Sequence, residues 1–171
     1  MRGDNAMIKS VVQNPNTVLH KKADDVRNFG SHELEKLICD MKDTLAEQNG
    51  LGLAAPQIVV SKSIFVIPYE YAPRVRTWRI PSSLVRKYRP AVYINPHIII
   101  YSKKKEEMEE GCLSVRGVYH PITRAHAVTL VAQNKNGKKF EVRATGLLAR
   151  IYQHETDHLN GLLFLDRLHE K

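Results

Sequence analysis

Cysteine is scarce in this chain: 171 residues hold two, Cys39 and Cys112, too few for a disulfide framework. A reducing compartment is expected, where a thiol stays available as a ligand. Long apolar runs are missing as well. No stretch approaches the ~18 residues a membrane helix requires, and the first dozen residues lack the apolar core of a secretory signal. The expectation is a cytoplasmic protein with no membrane partner. Repeats, low-complexity tracts and domain linkers are absent, so residues 1–171 are expected to form a single domain. Met7 offers a second start, which leaves residues 1–6 as an extension of no weight in the fold. Acidic residues are outnumbered, 18 Asp and Glu against 26 Lys and Arg, for a formal charge of +8. That surplus favours an anionic neighbour, although solubility explains it equally well. With no zinc finger, RNA-recognition signature or basic heptad helix beside it, no specific nucleic-acid sequence is expected to be read.

What the chain does have is an HExxH pattern near its C-terminus, His154-Glu155-Thr156-Asp157-His158. Residues four apart on a helix share a face, so His154 and His158 can offer imidazole nitrogens to one metal ion, with Glu155 beside them as a base. Leu147, Ile151, His154 and His158 continue one helical stripe. Thr145 is placed to cap its start and Gly161 to end it. The bland alternative is a pair of core histidines on a buried face. A third ligand is needed for a metal site, yet only 13 residues follow His158. Phe164 stands where the metzincin extension would place a histidine. The missing ligand is therefore expected upstream.

Upstream, residues 8–19 read as an N-terminal arm with a turn at Asn14-Pro15-Asn16. Ser31 can cap a helix bearing Leu34, Leu37, Ile38, Met41 and Leu45 at helical spacing and ending near Asn49-Gly50. Cys39 falls off that stripe and is read as a bystander. Residues 50–57, GLGLAAPQ, are small and apolar with one polar side chain at the end, and two glycines permit close approach of another backbone. Residues 63–68 read as a strand, and 69–90 as a long basic surface loop. Residues 91–101 resume a strand interrupted at Asn95-Pro96, and 103–110 read as a solvated turn of mixed charge. Residues 127–132 and 138–145 form a hairpin running into the HExxH helix. The expected fold class is α+β, mostly antiparallel β-sheets packed around a C-terminal helix that carries the HExxH motif.

Within EGCLS, residues 110–114, Cys112 is the one good candidate for the third ligand. A thiolate with two imidazoles makes a three-ligand site with its fourth position open. Three segments, GLGLAAPQ, EGCLS and QHETDH, occur in that order, and together the chain resembles the peptide deformylase family over residues 8–168. The resemblance implies that Cys112, His154 and His158 hold the metal and that Glu155 is the catalytic acid and base. It implies that Gln57 and the Leu113 backbone N–H stabilise the oxyanion and that the Gly52 backbone lines the formyl site. Leu51, Leu147 and Ile151 would wall a methionine pocket. The metal implied by similarity is Fe2+, replaceable by Zn2+, Ni2+ or Co2+, whereas ligand chemistry alone points to zinc. The implied reaction removes the formyl group from N-formylmethionine of new polypeptides and releases formate. A metal-activated water attacks the formyl carbon, and Glu155 handles the proton. Two positions depart from the pattern: Arg116 stands where proline is common, and Tyr119 where some members carry arginine. Both concern the peptide side of the site. The ribosome is an expected partner, met through the basic residues Arg74 to Arg89. Two other functions compete, a metallo-endopeptidase of another kind and a catalytically silent binder of nascent chains or RNA.

Overall fold

A computed structural model describes residues 7–72 and 91–168. The proposed extension at 1–6, most of the basic loop including Arg74 to Arg89, and His169 and Glu170 lie outside the described residues.

The helix expected after Ser31 is α1 (His32–Gln48). The Ser31 hydroxyl accepts from the Leu34 N–H at 3.2 Å, and Asn49 ends the helix in the left-handed conformation at φ 51°. Such a cap is worth about 1 kcal/mol. Leu34, Ile38, Met41 and Leu45 are buried along the inner face, while Cys39 is exposed. Strands β1 (Leu53–Ala54) and β2 (Ile64–Val66) follow, then β3 (Val92–Tyr101), β4 (Lys105–Cys112), β5 (Val115–Ala125), β6 (Ala127–Gln133) and β7 (Lys139–Thr145). These strands pair antiparallel throughout, in a five-stranded sheet of order β1-β2-β3-β6-β7 and a separate ribbon of β4 with β5.

β2 shows why the layers stack as they do. Side chains alternate across a strand: Ile64 and Val66 point into the cluster with Leu34, Ile38 and Met41 of α1, while Phe65 belongs to the cluster with Tyr93, Leu130 and Tyr152. The sheet is thus covered on both faces, and its second cover is α2 (Gly146–Leu159), the HExxH helix. Inside that layer Phe65 stacks on Tyr93 with ring centroids 4.6 Å apart, and the Tyr93 and Tyr152 hydroxyls share a hydrogen bond of 2.5 Å. Among the described residues no helix is long and apolar enough to cross a membrane.

Three local expectations need correction. Residues 105–110 are not a solvated turn; they form most of β4, paired residue by residue with β5. Strand β3 is not broken at Asn95-Pro96. It continues through a shift of register there, with Asn95 at φ 48° and its side chain bonded to the Val26 backbone at 2.8 and 2.9 Å. Thr145 occupies the N-cap of α2 but makes no capping hydrogen bond. The other end is as expected: Gly161 at φ 75° donates to the His158 carbonyl at 3.2 Å, and Leu162 to Asp157 at 3.0 Å. This left-handed cap needs glycine, because a Cβ would also sit 2.8 Å from the His20 backbone.

Candidate metal and catalytic site

The site forms where α2 meets the end of β4 and the turn after β1. Helical spacing brings His154 and His158 edge to face, ring centroids 4.9 Å apart, and β4 delivers Cys112 against them. The ligand atoms of Cys112, His154 and His158 all lie within 4.8 Å of one another. The thiol sulfur is 3.2 Å from His158 Nε2. Three donors of this kind, converging from a helix and a strand, suit a tetrahedral ion with one position left for a reactant.

Tautomer and orientation are set from behind. Glu110, exposed by only 6%, accepts from His154 Nδ1 at 3.1 Å, which turns Nε2 toward the shared centre. A carboxylate holding the far nitrogen of a ligating imidazole fixes the ring and raises its basicity. Glu110 is itself held by a forked pair from Arg124 at 2.6 and 3.0 Å and by Arg150 at 2.5 Å. Arg124 reaches on to Asp157 at 2.7 Å, and Asp157 to Arg167 at 2.5 Å. Burial alone would raise the Glu110 pKa, but the His154 and Arg124 hydrogen bonds outweigh it and bring it down to about 2. Burial opposes a charge on His154, yet Cys112 and Glu110 overcome it and push its pKa up to about 10. His158, buried without such help and beside that charge, is driven well below the ordinary imidazole range. Three donors that converge in front of a buried carboxylate suit a cation.

Glu155 is 3% exposed, and burial, reinforced by the Glu110 and Asp157 charges against those of His154 and Arg124, pushes its carboxyl up to about 7. Its Oε2, like Nδ1 of His158, is a buried polar atom without a partner among the described residues. An unsatisfied buried carboxylate oxygen costs stability, so its retention calls for a function. Gly52 packs directly on this carboxyl: a Cβ there would overlap the Glu155 carboxylate.

Gln57 lies in a one-turn 3-10 helix (Ala55–Ile58) that follows β1. Its Oε1 accepts from the Ala54 N–H at 2.8 Å, and its Nε2 faces Ser114 Oγ at 3.1 Å and Cys112 sulfur at 3.6 Å. The amide is thus held with its N–H side toward the ligands. The N-terminal arm ties these pieces together, Val12 N–H to the Gln57 carbonyl at 2.9 Å and Asn14 N–H to that of Ser114 at 2.8 Å.

A cleft of about 380 Å³ gives access. Gln57, Cys112, Leu113, His154 and Glu155 line it, together with Gly52, Leu51, Leu147 and Ile151. His158 alone among the residues singled out from sequence is outside this lining, fully buried beside Cys112. Leu51 is 41% exposed and Leu147 38%, so at Leu147 the HExxH stripe opens into the cleft and not into the core. A larger groove of about 1120 Å³ between residues 22–28 and α1 contains none of these donors.

Sequence reasoning missed the roles of Glu110, Arg124, Arg150 and Asp157. One signal was present: Arg150, His154 and Asp157 follow i, i+4, i+7 spacing and share one polar stripe of the helix.

A ligand-bearing helix, a strand cysteine and a buried carboxyl behind an open cleft define a hydrolase-type site able to hold one metal ion. Comparison with known proteins gives the class its family. The polypeptide deformylase sequence profile matches residues 8–171. A peptide deformylase of Hahella chejuensis is 41% identical over 158 residues, covering 92% of this chain and 85% of the relative. The crystal structure of a peptide deformylase from Legionella pneumophila, 40% identical, superposes with a TM-score of 0.80 over 96% of this chain and 88% of that one. A Met-Ala-Ser-bound class I type b peptide deformylase from Acinetobacter baumannii, 33% identical, also gives 0.80, over 96% of this chain and all of that one. The chain belongs to the polypeptide deformylase family and is an enzyme of that family.

Proposed function

We propose that this chain is a single catalytic domain that removes the formyl group from the N-terminal formylmethionine of new polypeptides. The observation that carries the reading is the convergence of Cys112, His154 and His158 behind a cleft that Gln57, Cys112, His154 and Glu155 line. Cys112, His154 and His158 would hold the ion, which is Fe2+ on this reading, with Zn2+, Ni2+ or Co2+ able to take its place. When bound, the ion polarises the formyl oxygen and lowers the pKa of a water toward 7.

The side chains do the rest. Leu51, Leu147 and Ile151 receive the methionine side chain, and the Gly52 backbone keeps the formyl group close to Glu155. Glu155 accepts the proton of the attacking water at its unpaired Oε2 and later delivers it to the leaving amine. Gln57 Nε2 and the Leu113 backbone N–H serve as donors to the oxygen on which charge develops. Donors of this type favour the transition state over the flat ground state, and loss of one costs about a hundredfold or more. Formate and a free amino terminus result. The Acinetobacter baumannii relative with Met-Ala-Ser bound supports the substrate, since that tripeptide is what formyl-Met-Ala-Ser leaves behind. On this reading the enzyme works in the cytoplasm beside the ribosome, a contact favoured by its surplus of positive charge.

The test is formate release from formyl-Met-Ala-Ser by metal-loaded protein, run beside a casein digestion. Formate without casein cleavage is expected; casein cleavage without formate would favour the endopeptidase reading, and neither activity the silent binder.

Gly52→Ala tests the packing of the active carboxyl. The added methyl must displace Glu155, and a displacement on the order of 1 Å costs about 100-fold in rate, with about 1–3 kcal/mol of overpacking destabilisation. Steady-state formate release and urea unfolding check the two numbers. Wild-type kinetics in the variant would show that Gly52 does not position Glu155.

A further inference from the structure

We propose that Arg116 makes this site prefer formylmethionyl chains carrying an acidic side chain in the first two residues after methionine. The inference rests on the deformylase reading and adds to it the charge of the preferred peptide.

Of the five Glu and Arg side chains that line the cleft, three are buried and two, Glu109 and Arg116, are exposed. Glu110 and Arg150 are buried against each other, Glu155 is buried under Gly52, and Glu109 stands exposed on β4. Arg116 is exposed at the start of β5, lines the same cleft and forms no ion pair among the described residues. The backbone from which it projects is fixed. Gln13 accepts the Arg116 N–H at 3.4 Å and donates to the Leu113 carbonyl at 2.9 Å, clamping the turn from 113 to 116. Beside it, the Tyr119 ring lies across Gly111, where a Cβ would come within 2.5 Å of the ring.

A peptide whose methionine sits over Leu51 and Ile151 has to leave by the mouth of this cleft. Arg116 lines that cleft three residues from the proposed Leu113 donor, so a guanidinium awaits the first residues of the departing chain. A carboxylate there gains a charge-assisted hydrogen bond, which the planar guanidinium fork matches well. A lysine meets repulsion. Because the site is open to water, the preference is modest and weakens with salt.

Two series of C-terminally amidated peptides, formyl-Met-Ala-Glu and formyl-Met-Glu-Ala with their Gln and Lys counterparts, test this on metal-loaded protein. The readout is the ratio of kcat/KM between matched peptides on one protein, in which any general loss of activity cancels. In at least one series at low ionic strength, wild type should favour Glu over Lys by about fivefold. That ratio should fall to near one in Arg116→Gln and invert in Arg116→Glu. An unchanged ratio in both variants, with the peptides hydrolysed normally, would overturn the proposal. So would an Arg116-dependent preference confined to the free C-terminal carboxylate of unamidated formyl-Met-Ala-Ser. Absence of hydrolysis of every peptide would overturn the deformylase reading beneath it, and the proposal with it.

Discussion

Replacing Glu155 by glutamine is expected to reduce formate release by about 100- to 10,000-fold while leaving the bound metal in place. General acid–base catalysis contributes rate on that scale, and glutamine keeps the size of the side chain but cannot accept the proton. Glu155 belongs to neither the thiol nor the imidazole donors, so metal content should match wild type by elemental analysis. The variant should also fold well, for a reason visible in the pH dependence. Burial raises the Glu155 carboxyl from 4.5 to about 7, so in metal-free protein the folded state binds its proton more tightly than the unfolded chain does. Stability therefore falls as pH rises from 4.5 to about 7, and the full penalty is present above that window. Glutamine escapes the penalty. Urea unfolding of chelator-treated protein at pH 5 and pH 8 should show the wild type losing ground to Glu155→Gln at the higher pH. A variant that loses its metal, or retains wild-type rates, would remove Glu155 from the proposed role.

The second large effect is expected at Glu110. It touches no substrate on this reading, yet it anchors His154 and neutralises Arg124 and Arg150 in the interior. Glu110→Gln would leave Arg150 without its carboxylate and Arg124 with Asp157 alone. Breaking a buried pair on one side costs about 3–5 kcal/mol, and loss of the carboxylate behind a ligating histidine costs about 10- to 100-fold in metal affinity. The sign with pH is opposite to that of Glu155. The folded pKa of Glu110 is depressed to about 2, so its contribution is complete above 4.5 and fades as pH falls toward 2. The gap between wild type and variant should narrow in acid. Denaturant unfolding at pH 7 and pH 3, with a competitive metal titration at pH 7, measures both effects. Equal metal affinity in the two proteins would mean that Glu110 does not orient His154.

The two charges also show where sequence reading succeeded and where it failed. The HExxH helix was legible because ligand spacing, apolar spacing and its glycine stop coincide within sixteen residues. The hairpin before it was legible from turn chemistry, and α1 from Ser31 and a regular apolar stripe. β4 was not, because residues 105–110 contain one apolar side chain, Met108, and local pattern favours solvent. Its conformation comes from pairing with β5 and from arginines 14 and 40 residues away in sequence that take Glu110 inside. Asn95-Pro96 misled for a similar reason: the side chain of Asn95 binds Val26, 69 residues distant, and holds the strand through its irregularity. The candidate ligands could be named from residue types, but the Glu110 carboxylate behind His154 and its partner Arg124 become visible only once the ribbon of β4 and β5 lies on α2.

The most direct test is a metal titration. Chelator-stripped protein is given Fe2+ without oxygen, or Ni2+, in known ratios, and formate release from formyl-Met-Ala-Ser is followed at each addition. The rate should rise from zero in proportion to metal and level off at one ion per chain, with Cys112→Ala remaining inactive throughout. Formate release by metal-free protein, or none from a chain holding one ion, would contradict the account.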